Sequence, residues 1–184
     1  YTAYISWYNI LLVFTSLNLF YGVYNNAMMK FRDDRAGYTS SMQGLVWMST
    51  GVFLILYLIF RNQVNDFLGM NTILVLMLFT ELLLTPAFRF WMASKRFEFK
   101  YQPIVAVTII KTIANPVLGL ILVLLSEKRD IARIASIVIV EGIICSIITI
   151  YQFYKGKKFF SKRYWKYALL FAVPLLPHYL AGQV

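Results

Sequence analysis

Residues 101–125 read YQPIVAVTIIKTIANPVLGLILVLL, an apolar run whose single charge is Lys111 and whose interior carries one helix-breaking residue, Pro116. At a rise of about 1.5 Å per residue, a helix of this length crosses the roughly 30 Å hydrocarbon core of a bilayer. The run is too long for a barrel wall, where alternating segments of about ten residues suffice. The same pattern recurs on both sides of it: Ile5 to about Tyr24, about Gln43 to Phe60, about Phe67 to Trp91, and Ile134 to about Tyr154. A sixth run starts near Tyr164 and meets the end of the sequence.

Composition agrees. Hydrophobic residues make up 60% and charged residues 14%, with a mean hydropathy of +0.65, and a soluble domain of that make-up has too little polar sequence to cover its outside. The expected fold is an all-α, polytopic transmembrane helix bundle. No basic n-region or small-residue cleavage site accompanies the first run, so it does not read as a signal peptide. A first residue that is Tyr1 and an end inside an oily run suggest a piece of a longer protein. The net charge of +10 is scattered between the oily runs and forms no continuous stripe, which argues against nucleic acid as a partner.

The polar connections set a topology. Thirteen of the eighteen basic residues fall in three alternate connections: Lys30, Arg32 and Arg35; Arg89, Lys95, Arg96 and Lys100; and Lys155, Lys157, Lys158, Lys162, Arg163 and Lys166. The other connections hold only Arg61, Lys128, Arg129 and Arg133. Short basic loops stay in the cytoplasm, which places the thirteen inside and runs the first segment from outside to inside. Aromatic residues such as Phe31, Tyr38, Trp91, Phe97 and Trp165 flank these connections as interfacial anchors.

Glu81, Lys111 and Glu141 lie inside runs, where a charge facing lipid unpaired costs several kcal/mol, so each is expected to face the bundle or an aqueous cavity. Counting from cytoplasmic ends at Met92, Tyr101 and Tyr154 puts Glu81 about 16 Å, Lys111 about 15 Å and Glu141 about 20 Å deep. Nearly equal depth on consecutive antiparallel helices makes a Glu81–Lys111 ion pair geometrically possible, and Glu141 lacks an obvious basic partner at its level. Arg89 is expected about one turn from the cytoplasmic end. Pro86, Pro116, Pro174 and Pro177 free backbone carbonyls and are candidate kinks. Asn115 adds an amide beside Pro116, while Gly44, Gly51, Gly119 and Gly142 suit close helix packing. The lone Cys145 reads as a small buried hydrophobe.

The chain resembles the Wzx-type polysaccharide or oligosaccharide flippases of the multidrug and oligosaccharidyl-lipid exporter superfamily. The likeness rests on LNLFYGVYNNAMMKFRDDRAGY (17–38), LLLTPAFRFWMASKRFEFKY (82–101) and above all YWKYALLFAVPLLPHYLAG (164–182), where Trp165 and Lys166 precede Pro174, Pro177 and His178. The resemblance implies that residues 1–163 are family helices two to six of the first of two lobes, and residues 164–184 the truncated seventh helix opening the second lobe. It implies a bacterial inner-membrane, multi-pass exporter that is not an enzyme. Such an exporter flips undecaprenyl-pyrophosphate-linked oligosaccharide repeats to the outer leaflet by alternating access, coupled to protons or sodium and without another cofactor. Membrane lipids and a polysaccharide polymerase complex would be its partners. Lys111, then Arg89, with Asn115 and His178, become candidate cavity residues, and Glu81 and Glu141 candidates for coupling or an ion pair. A membrane glycosyltransferase or polysaccharide polymerase, and a noncatalytic assembly subunit, are the competing readings. The first would call for acids near a membrane face, whereas the exceptional acids here are deep. Neither a G-x-G-x-x-G nor a Walker A loop occurs, and no H-E-x-x-H or cysteine framework for zinc is present.

Overall fold

The computed structural model describes residues 2–20, 22–126 and 129–181, excluding the side chains of Gly22, Asp130 and residues 176–181. The described residues form helices α1 (Thr2–Ser16), α2 (Gly22–Lys30), α3 (Arg35–Ile59), α4 (Arg61–Leu68), α5 (Thr72–Phe97), α6 (Gln102–Leu125), α7 (Arg129–Gly156) and α8 (Lys162–Ala181), with a 3-10 turn at Arg32–Asp34. Four stretches are long and apolar enough to cross a membrane: Arg32–Ile59, Thr72–Phe97, Gln102–Leu125 and Ile131–Gly156. The chain is a polytopic helical membrane bundle.

The most apolar window of α5 is 56% buried and that of α6 only 6%, so α5 is central and α6 an outer wall. Between them stands α7, which packs on α3, α5 and α6. The three basic connections meet at one end of the bundle. There, Lys158 donates to Asp34, Tyr164 donates to the same carboxylate at 2.6 Å, and Ser40 donates to the Lys158 carbonyl at 2.8 Å. The bond to Asp34 raises the Lys158 ammonium above its ordinary pKa. Burial works against the Glu98 carboxylate, but hydrogen bonds from Lys95 and Lys100 outweigh it and hold its pKa below the usual value. At the same end, α8 packs Tyr164, Ala168 and Ala172 into a core shared with Tyr24, Phe31, Tyr38 and Phe90.

Small residues let α3 and α7 approach. A methyl on Gly156 would overlap the Ser40 hydroxyl and the Ala36 carbonyl, and one on Gly44 would overlap the Phe159 carbonyl. Ala36, Ser40 and Gly44 follow one another at four-residue spacing, which keeps them on a single helix face. Gly119 lies against Ser136, whereas Gly51 meets nothing within 4 Å and is not a packing glycine in the described structure.

Three sequence expectations are corrected. The first run is not one helix: Thr15 and Ser16 donate to the carbonyls of Leu11 and Leu12 at 2.9 and 2.6 Å, the Asn18 amide donates to the Ser16 hydroxyl at 3.3 Å, and the backbone turns left-handed at Leu17 and Asn18, both with φ 50°. Asparagine tolerates that conformation; a leucine pays about 1–2 kcal/mol for it. The break is buried, with Thr15, Ser16, Asn18, Leu19 and Phe20 all inside, which is where non-helical backbone is tolerated in a membrane. Second, the third run does not begin at Phe67. Gly69, with φ 63°, ends the short helix α4, and α5 starts at an Asn71 cap whose side chain accepts the Leu74 amide at 2.9 Å. Third, α5 continues past Met92 to Phe97 with Lys95 and Arg96 in its last turn, where cations favour the helix dipole.

Candidate functional site

The extra turn of α5 moves the charges relative to one another. Counted from Phe97, Glu81 is about 24 Å deep; counted from Gln102, Lys111 is about 14 Å deep and level with Phe88. The Glu81–Lys111 pair that the sequence allowed is therefore not made. The Lys111 ammonium bonds Glu141 on α7 at 2.7 Å and lies 4.0 Å from the centroid of the Phe88 ring on α5. Glu141, expected to lack a partner, has the lysine. Neighbouring Gly142 packs on Leu84 of α5, which sets Glu141 close to the level of Leu84 and within the stem length of Lys111. The pair is largely enclosed, at 13% and 15% side-chain exposure, and Cys145 adds a long thiol contact of 3.8 Å to the same Glu141 oxygen.

Glu81 is buried and accepts the Tyr4 hydroxyl at 2.9 Å. Among the described residues it has no ion-pair partner, though both Glu141 and Lys111 lie within electrostatic reach. All three inserted charges thus face the bundle, as their cost in lipid requires.

Arg89 sits about 12 Å from the end of α5, deeper than one turn. Its guanidinium stacks on Phe20 at 4.8 Å from the ring centroid, directly beside the break between α1 and α2. It is half-buried and makes no ion pair among the described residues. Its charge also reaches Tyr8, which is influenced by Glu81 and Glu141 too. Tyr4 with Glu81 and Lys111 with Glu141 are thus two hydrogen-bonded pairs, and electrostatic reach joins them to Tyr8 and Arg89 as one tract of polar groups in the bundle.

Asn115 lies off this tract. It borders a groove of about 600 Å³ between α6 and α7, together with Pro116, Gly119, Arg133 and Ser136, and its Oδ1 is buried with no hydrogen-bond partner among the described residues. Pro86 and Pro116 are both inside continuous helices, and Pro174 lies in α8 with an exposed side chain. The side chains of Pro177 and His178 lie outside the described residues.

Pro86 lacks the amide that a helix needs one turn earlier, and the lateral hydrogen bonds around it were not apparent from sequence. Gln43 and Trp47 on α3 both donate to the Leu83 carbonyl, at 3.1 and 3.0 Å, and Gln152 on α7 donates to the Ala87 carbonyl at 2.9 Å. Two glutamines in apolar helices opposite a proline were the available signal. No family model, curated protein or solved structure matches the chain.

Proposed function

We propose that this bundle is part of an exporter that moves a lipid-linked, phosphate-bearing saccharide across the membrane, as in the Wzx-type flippases it resembles. The carrying observation is Arg89, a half-buried guanidinium without a carboxylate partner among the described residues, placed against the break between α1 and α2. Guanidinium is the side chain suited to bidentate phosphate recognition. Broken helices lining a polar interior supply transport sites generally, and a pyrophosphate passing here would meet Arg89 before Lys111, whose charge Glu141 already balances. Glu81, hydrogen-bonded to a tyrosine and without an ion-pair partner among the described residues, is the carboxylate suited to coupling by a proton or sodium ion. The basic end of the bundle is the cytoplasmic side in this reading, because short basic connections are retained there. A bacterial inner membrane is the setting that a saccharide carried on undecaprenyl pyrophosphate requires.

The test is transport in proteoliposomes of the full-length protein, using a fluorescent undecaprenyl-pyrophosphate saccharide. Arg89→Gln is expected to slow translocation at least tenfold while membrane accumulation stays within twofold, and Arg89→Lys to recover part of the rate. Parallel loss of accumulation and transport, or unchanged transport, would assign Arg89 to packing against Phe20.

A further inference from the structure

Pro86 divides α5 into residues 72–85, which carry Glu81, and residues 87–97, which carry Arg89. A proline inside a helix leaves the carbonyl four residues back, here that of Leu82, without its donor, and it bends the helix at that turn. The placement of the two charges relative to each other therefore depends on what holds the angle.

Side chains of two neighbouring helices grip α5 on either side of the proline. On the Glu81 side, Gln43 Nε2 and Trp47 Nε1 of α3 both donate to the Leu83 carbonyl, at 3.1 and 3.0 Å. The two stand four residues apart and so share one face of α3. On the Arg89 side, Gln152 Nε2 of α7 donates to the Ala87 carbonyl at 2.9 Å. Trp47 also ties the two gripping helices together, its ring 5.3 Å from that of Phe153 on α7.

Both glutamines serve here through their donors alone. Gln43 is 0% and Gln152 5% exposed, and the Oε1 of each is buried without a hydrogen-bond partner among the described residues. Leucine, of similar size, would pack these apolar helices without leaving an acceptor unpaired. A bend maintained by packing has no need of the amides, whereas one fastened through its backbone does.

We infer that Gln43, Trp47 and Gln152 are positioning residues that set the angle of α5 at Pro86 and thereby the place of Glu81 relative to Arg89. Its consequence for transport rests on the reading above, in which those two side chains serve coupling and phosphate recognition; its geometry does not. At about 1.5 Å per residue, a change of about 15° at Pro86 swings Ile73 by about 5 Å and Glu81 by about 2 Å. The smaller movement is enough to part Glu81 from Tyr4, which it meets at 2.9 Å.

Double electron–electron resonance on the full-length protein in nanodiscs tests this, with spin labels on cysteines replacing the exposed Ile73 and Leu124 in a Cys145→Ala background. Because Leu83 has two side-chain donors, both are removed together. Gln43→Leu with Trp47→Phe is expected to shift the mean distance by about 3 Å or more. Thr80→Val, which removes a hydroxyl bond within α5, should move it by less than about 1 Å. With Pro86→Ala, which restores the helix's own amide, the same pair of substitutions should again move it by less than about 1 Å. No shift in the first variant, or an equal shift in the Pro86→Ala background, would overturn the inference and leave α5 held by packing. Saccharide turnover by the variant lacking both donors is expected to fall at least fivefold with the apparent KM within twofold, and unchanged turnover despite the shift would overturn the positioning role. The distances are read without substrate, so an Arg89→Gln result against the transport reading leaves the distance result standing.

Discussion

Replacing Lys111 with methionine is expected to lower stability by about 3–5 kcal/mol, because it strands the enclosed Glu141 carboxylate without its cation. The loss should appear as a marked shift in the fraction folded during a denaturant titration in mixed micelles. Removing the second charge reverses it: Lys111→Met with Glu141→Leu is expected to regain most of the stability, since a buried pair often contributes little net over an apolar isostere. Phe88 and Cys145 already supply apolar surroundings for the replacement. A double variant no more stable than Lys111→Met alone would mean that the two side chains do not face each other. The same double variant separates two roles for the pair. If it accumulates normally but transports poorly, the charges act in the cycle; if it transports normally, they hold α6 against α7.

Gly156→Val should cost about 3 kcal/mol, at the upper end for overpacking. The added carbons would fall on the Ser40 hydroxyl and the Ala36 carbonyl, and backbone cannot yield as a flexible side-chain tip can. Pushing α3 from α7 there also breaks the Ser40 bond to the Lys158 carbonyl and loosens the contact of Lys158 and Tyr164 with Asp34. Gly51→Val, facing open space, is the matched control and should change stability by well under 1 kcal/mol in the same titration. Similar losses at both positions would show that helix propensity rather than the α3–α7 contact is responsible.

Long apolar runs made the helical membrane bundle legible because the bilayer demands both length and lack of charge. The same reasoning located Glu81, Lys111 and Glu141 inside the bundle, since lipid exposure of any of them is costly. What hydropathy could not show was where helices end. Charged and aromatic interfacial residues continue α5 to Phe97 as readily as apolar ones, and that extra turn was enough to exchange the partner of Lys111. The break after Ser16 was also hidden: Leu17 and Leu19 keep the run apolar, while the cause lies in side-chain bonds from Thr15 and Ser16 to their own helix. Arg89 was recognised as a candidate from its position near an oily run, but its placement beside that break required the fold. Gly156 was missed because it stands in a lysine-rich stretch that reads as a solvated loop, although the structure buries it against α3.

The whole account depends on α3, α5, α6 and α7 each crossing the membrane, with the basic connections together on one side. Side-specific labelling of single cysteines, in a Cys145→Ala background, tests this most directly. Gln63→Cys, in α4, is expected to react with an impermeant maleimide in intact cells, and Lys157→Cys, between α7 and α8, only after the membrane is opened. Labelling of both from the same side would contradict the topology and the transport reading built on it.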